Sequence, residues 1–202
     1  MQLQLFHGTN QRFSQFEQSK ARVPNDFYGG GVAYFTDNLE VAKTYAKSAA
    51  KKGGDRIIYQ VTLNVNKVFD VNASFTGKDL IQFFSNKDSE QFARGAGLLS
   101  LGTDKYRVLG DLENGTLVLS GEDVFRGLSQ GMIKTAAARD KIKSLGYDAL
   151  RYNGEMNMAA TRHDVYIAYY ANEIKIHEPR MIVASETQIK EGSVGFEQYV
   201  LV

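Results

Sequence analysis

The chain has no cysteine. That excludes disulfides, thiolate nucleophiles and cysteine-ligated metal sites together, and it fits a reducing compartment. Long apolar runs are missing too. None approaches the eighteen or so residues a membrane-spanning helix needs, and the opening MQLQLFHG is too polar for a secretory leader. A cytosolic protein with no membrane partner is expected, in the producing cell or in one it enters. Charge of one sign is also lacking. Lys and Arg number 24 against 23 Asp and Glu, a net +1, so no global field recruits nucleic acid or an anionic membrane. That total is silent on local basic patches.

Familiar site signatures are absent. There is no Walker A sequence, no G-x-G-x-x-G between a strand and a helix, and no H-E-x-x-H. His163 and His177 stand at no metal-ligand spacing with a carboxylate, and no metal site is expected.

What is present suits one folded domain. The 202 residues are 43% hydrophobic and 23% charged, enough for a sizeable core. Residues 2–6 alternate as a strand, and Val32–Phe35 reads as a short buried one after the run Gly29-Gly30-Gly31. Asn38 suits the N-cap of a helix whose Leu39, Ala42, Tyr45, Ala46 and Ala49 share a face, with Gly53-Gly54 ending it. RIIYQVTLNV is a strand with Ile57, Tyr59, Val61, Leu63 and Val65 on its buried face, and KVFDV is another.

From about 75 to 145 the pattern is mainly helical. Thr76 three residues before Asp79 suggests a capping box. The stretch 95–120 reads as a loop or hairpin insertion, and KTAAARDKIKSLG as a helix stopped by Gly146. YDALRY, DVYIAYY and NEIKIH return to strands, the last two as one unit or a hairpin closed by Pro179. Residues 180–202 add an edge strand (QYVLV) or a tail. Strands at both ends around a helical middle predict an α+β domain spanning 1–202.

Two segments stand out for chemistry, LFHGT at 5–9 and GGGVAYFTDNLEVAKTYA at 29–46. Each residue in them has an ordinary structural reading: a strand-end histidine, a core tyrosine, a helix-stripe tyrosine, a glycine turn. Their order and spacing carry more. His7-Gly8-Thr9 on a first strand, Tyr34 after a glycine-rich loop, and Tyr45 eleven residues later resemble the ADP-ribosyltransferases of the diphtheria toxin and poly(ADP-ribose) polymerase branch. TDN at 36–38 and IIYQVTLNVNKVFDV look similar to the toxin catalytic domain. The resemblance covers 5–71 well and 146–176 more loosely, and it does not reach the middle.

The resemblance implies a split β-sandwich, two small sheets forming an NAD cleft. NAD would be the substrate, bound by His7, Gly8, Thr9, Tyr34 and Tyr45. The Gly8 peptide would bond the nicotinamide carboxamide, with no side chain to obstruct the ring. His7 would bond a ribose hydroxyl, and the two tyrosines would stack on nicotinamide. Strain and orientation would then favour departure of nicotinamide from an oxocarbenium-like ribose.

The branch usually adds a glutamate at the start of a late strand. Aligned on VYIAYY, that position is Val165, with Asp164 one residue earlier. A regular strand sends these two side chains to opposite faces, so Asp164 serves only if a bulge turns it inward. Asp164 is nevertheless the first candidate for the acid beside His7 and Tyr34, with Glu155 behind it. A missing glutamate argues against polymer formation and for transfer of a single ADP-ribose, or for loss of catalysis. Ala42, where the polymerases carry serine, tilts the likeness toward toxins. The arginine-dependent clade does not fit, because the one Gln-x-Glu found, Gln15-Phe16-Glu17, comes far too early.

The expected function is therefore mono-ADP-ribosylation of a protein or nucleic-acid acceptor. A degenerate NAD-, ADP-ribose- or partner-binding module and an NAD glycohydrolase are the alternatives. By analogy of fold, such a chain suits a bacterial toxin, a phage-encoded host modifier or a defence effector, with an antitoxin or inhibitor as a further partner.

Overall fold

The computed structural model describes residues 1–18, 28–154 and 162–177. Glu155, Pro179 and the segment 180–202 lie outside the described residues. Nine strands and six α-helices occur among those that are described, in chain order β1 (Gln2–Thr9), β2 (Ala33–Thr36), α1 (Leu39–Ala50), β3 (Ile57–Asn64), β4 (Val68–Asp70), β5 (Ser74–Phe75), α2 (Gly77–Ile81), α3 (Ser89–Gly95), α4 (Lys105–Glu113), β6 (Leu119–Ser120), α5 (Gly121–Leu128), α6 (Thr135–Ser144), β7 (Ala149–Gly154), β8 (His163–Ala168) and β9 (Ile174–Ile176).

Seven strands join in one sheet, in the order β4-β7-β8-β2-β1-β3-β9, and β5 pairs with β6 apart from it. All neighbours in the large sheet are antiparallel except β4 and β7. The join at its middle is narrow. β1 pairs with β3 along its whole length, but with β2 only at Phe6 opposite Thr36. A three-stranded half (β9-β3-β1) thus meets a four-stranded half (β2-β8-β7-β4) through one residue pair.

Side-chain alternation gives the sheet two differently covered faces. One carries Leu5, Phe35, Tyr59, Val61, Leu63, Tyr166 and Ala168, packed with Phe13 and Phe16. The other is covered by helices. Helix α1 lies over β1 and β3 through Ala42, Ala46, Ile58 and Phe6. Helices α2, α3, α5 and α6 lie over the opposite half through Phe69, Phe75, Phe83, Phe92, Phe125, Ile142, Leu150 and Ile167. Burial on both faces explains why Ile58 is as dry as the Ile57 and Tyr59 that flank it.

Asn38 caps α1 as its position suggests, its side chain accepting from the N–H groups of Glu40 and Val41. Gly146 adopts φ +81° past α6, the left-handed geometry that ends a helix cheaply only with glycine.

Other expectations are corrected. Thr76 precedes α2 but makes no side-chain cap, because its hydroxyl donates to the Gly115 carbonyl instead. The stretch 95–120 is not a plain loop. It holds α4, opened by the Asp104 carboxylate accepting from the Arg107 N–H, and then β6. Gly110 inside α4 and the glycine turns around it hid the helical period. Finally, β8 and β9 form no hairpin: β8 lies between β2 and β7, and β9 pairs with β3 at the far edge.

Candidate active site

The narrow join lies beside His7, Gly8 and Tyr34. Antiparallel register would continue from Phe6–Thr36 to set Gly8 opposite Tyr34, yet no pairing forms there and the strands part. His7 spans the gap. Its Nδ1 lies 2.8 Å from the Tyr34 carbonyl oxygen. A carbonyl can only accept, so Nδ1 carries the hydrogen, and in the neutral ring Nε2 has acceptor character. The ring is half-buried, edge-on to Phe16 at 5.3 Å and beside Phe35 at 5.7 Å and Phe13 at 6.2 Å. Phe13 is itself stacked on Tyr59 at 4.4 Å. Two phenylalanines three apart in an otherwise polar segment were the available signal for this cover.

Gly8 turns its absent side chain toward α1. A Cβ there would stand 2.0 Å from the Ala42 carbonyl oxygen and 2.8 Å from the Ala46 nitrogen. Glycine is therefore demanded by the close approach of α1 to β1, whatever a ligand asks of its peptide. The Gly29–Gly31 run is buried, and φ is +76° at Gly29 and +67° at Gly30. It is fixed from α6 by Arg139, which donates to the Gly29 carbonyl at 2.7 Å.

Tyr34 points to the helix-covered face, against the core of the four-stranded half. Tyr45 lies on α1, over the same face. The expected apolar stripe of α1 is only partly buried: Ala42 and Ala46 are inside, whereas Tyr45 is 40% exposed. Tyr34, Tyr45 and Val165 thus share the helix-covered face, while His7 and Asp164 belong to the other. Thr9 ends β1, opposite Ile57.

The bulge needed to turn Asp164 inward is not formed. The β7–β8 ladder is regular from Ala149–Ala168 to Gly154–His163, so Val165 faces Tyr152 and Thr36 across the ladders. The Asp164 carboxylate instead takes a 2.8 Å ion pair with Arg151, which also holds Asp70 at 2.8 Å. Burial pulls the guanidinium pKa down, but the Asp164 hydrogen bond and the charges of Asp70 and Asp164 outweigh it and leave it raised. The Asp164 N–H donates to the Asp37 carboxylate at 2.9 Å, tying β8 to the turn before α1. Sequence reasoning did not anticipate Arg151, because a lone arginine on a strand carries no motif.

A second carboxylate lies toward the helical side. Glu122, at the start of α5, accepts from the Tyr28 hydroxyl at 2.6 Å, and Tyr28 packs on Tyr152 with ring centroids 4.9 Å apart. Burial first, then the Glu122 contact, push the Tyr28 phenol well above its usual range.

A family model for ADP-ribosyltransferases in polyvalent proteins matches residues 1–191, and the chain belongs to that family. Membership supports ADP-ribosyltransferase activity in general, an activity for which the family normally takes NAD as substrate. No curated protein and no solved structure matches the chain.

Proposed function

We propose that the chain binds NAD where β1 and β2 part, breaks its nicotinamide–ribose bond and passes a single ADP-ribose to a macromolecular acceptor. The parted strands, spanned by the His7–Tyr34 hydrogen bond, carry this reading. They leave an opening in an otherwise continuous sheet, with a histidine of defined tautomer on one side and a half-exposed tyrosine on the helix above it. In this reading Gly8 and Thr9 offer backbone groups to the carboxamide, His7 accepts from a ribose hydroxyl through Nε2, and Tyr34 and Tyr45 flank the nicotinamide. Each stack is worth about 0.5–1.5 kcal/mol. The narrow join would make the sheet behave as the two halves of a split sandwich.

Asp164 enters the proposal as a positioning residue. Through Arg151 and Asp37 it fixes β8 against β7 and against the turn that launches α1. With Val165 at the cleft-facing position, rate enhancement rests on orientation and strain of the bound dinucleotide more than on a strand-borne carboxylate. The same valine favours a second reading, NAD binding without turnover.

The test is incubation with NAD labelled in its adenylate half, alone and with separated protein and nucleic-acid fractions of a cell extract. Transfer of label to one fraction, lost in His7→Ala, supports the transferase. Nicotinamide release without an acceptor points to glycohydrolysis, and binding without release to the degenerate module. Abolished nicotinamide release in Asp164→Ala, with NAD affinity intact, would restore Asp164 as the acid.

A further inference from the structure

The near-zero net charge conceals an uneven distribution. KTYAKSAAKKGGDR, residues 43–56, sets five cations against the single carboxylate Asp55 in a chain of net +1, so the remainder of the molecule is net negative. Two charges of this segment are already matched: Lys43 pairs with Glu40 at 2.6 Å, and Asp55 with Arg12 at 2.9 Å. The side chains of Lys47, Lys51, Lys52 and Arg56 have no ion pair or hydrogen bond among the described residues, and the three lysines are exposed.

A lysine in the last turn of α1 offsets the negative end of the helix dipole. Four cations at one helix end exceed that need and repel one another. A polyanion would relieve the repulsion, and it would release its own counterions on binding.

The surface borders the proposed cleft. The end of α1 is fastened to the end of β1, where the Asn10 side-chain amide donates to the Gly53 carbonyl at 2.6 Å. At 3.6 residues per turn, Lys47 and Lys51 stand one turn apart on the outer face of α1, about 6 Å along the axis, and Lys52 follows in the turn that ends the helix, its N–H donating to the Ala49 carbonyl. A backbone seated on these cations would follow the end of the helix that carries Tyr45. A base inside a duplex is stacked out of reach of such a cleft, whereas an unpaired strand can swing one in.

We propose, building on the transferase reading, that Lys47, Lys51, Lys52 and Arg56 seat the backbone of a single-stranded nucleic acid, and that this strand is the ADP-ribose acceptor. Its balance is simple. A nucleophilic atom of the strand bonds to the ribose carbon as the carbon–nitrogen bond to nicotinamide breaks; the strand gives up a proton and nicotinamide leaves neutral.

The test titrates fluorescent single-stranded RNA and DNA of mixed sequence with the full chain, followed by anisotropy at several salt concentrations. Four phosphate contacts give a slope of log K against log salt of about −3, or about fiftyfold weaker binding between about 50 and 200 mM salt. The triple variant Lys47→Gln/Lys51→Gln/Lys52→Gln should flatten the slope to about −0.7 and lose at least tenfold in affinity. A control of equal charge change elsewhere, Lys78→Gln/Lys87→Gln/Lys141→Gln, should bind as wild type. The same samples with adenylate-labelled NAD should label the oligonucleotide in wild type and control, and much less in the α1 variant.

Equal binding by both triple variants, or label passing only to protein, would overturn the proposal. Parallel NAD titrations keep the two readings apart. Loss of strand binding with NAD binding intact in wild type rejects the acceptor surface alone, whereas absent NAD binding in wild type rejects the transferase reading while the anisotropy still decides the surface.

Discussion

At the scale of single residues, Gly8 and Glu173 make the sharpest predictions because their surroundings leave little room for compromise. Gly8→Ala puts a methyl group 2.0 Å from a helix carbonyl, and the opposing atoms are backbone, so either α1 or β1 must move. A loss of about 1–3 kcal/mol in urea unfolding is expected. Unchanged stability would show that α1 does not sit as described. Glu173 has a buried carboxyl oxygen with no partner. Burial, reinforced by the nearby Asp148 charge and opposed by Lys143, raises its pKa to about 7. The folded state therefore holds this proton more tightly than the unfolded chain, and stability falls as pH rises from about 4.5 to about 7. Glu173→Gln should raise the melting temperature at pH 8 and leave it nearly unchanged at pH 4. A variant with the wild-type pH profile would contradict this. At this scale the sequence was a good guide where one residue does one job, as Asn38 and Gly146 do. It was a partial guide where a residue has a structural job as well: Gly8 lets α1 approach β1, which its reading as access for a ligand did not include, and Asp164 pairs with Arg151, a partner that carries no motif.

At the scale of elements, α1 and the β7–β8 pair set the geometry of the candidate site. Helix α1 depends on its Asn38 cap, whose removal in Asn38→Ala should cost about 1 kcal/mol in thermal unfolding. Because Tyr45 rides on that helix, the same variant should also weaken NAD binding modestly; a stability loss with wholly unchanged affinity would separate α1 from the site. Asp164→Ala should cost about 1 kcal/mol, since Arg151 keeps Asp70 as a partner and the pair is only partly shielded from water. Strands with strong alternation, β1, β3 and β8, were legible, as was the opposite-face placement of Asp164 and Val165. Helix α4 was not, because it is short, fully buries only Leu112 and is interrupted by Gly110, so its apolar period is faint. The partner of β9 was not legible either. Which strand an edge segment joins is decided by tertiary packing, not by its own alternation.

At the scale of the whole molecule, the sheet is two ladders with one residue pair between them, and the candidate site occupies that weak line. A ligand gripped from both sides ties the halves together. Saturating NAD at about a hundred times its Kd would add about 2.7 kcal/mol of stability, a rise in melting temperature of several degrees for a chain of this length. The mixed α+β class could be read in outline from strands at both ends of the chain around a helical middle. The single seven-stranded sheet could not, because contacts between strands distant in sequence leave no local trace.

The central claim is that the parting of β1 and β2 is an NAD site, and calorimetric titration of NAD into wild type, His7→Ala and Tyr45→Ala addresses it most directly. The account predicts measurable binding by wild type, weakened roughly two- to tenfold by loss of the Tyr45 stack and at least as much by loss of His7, with all three proteins folded to similar melting temperatures. Equal affinity across the three proteins, or no binding by wild type, would contradict it.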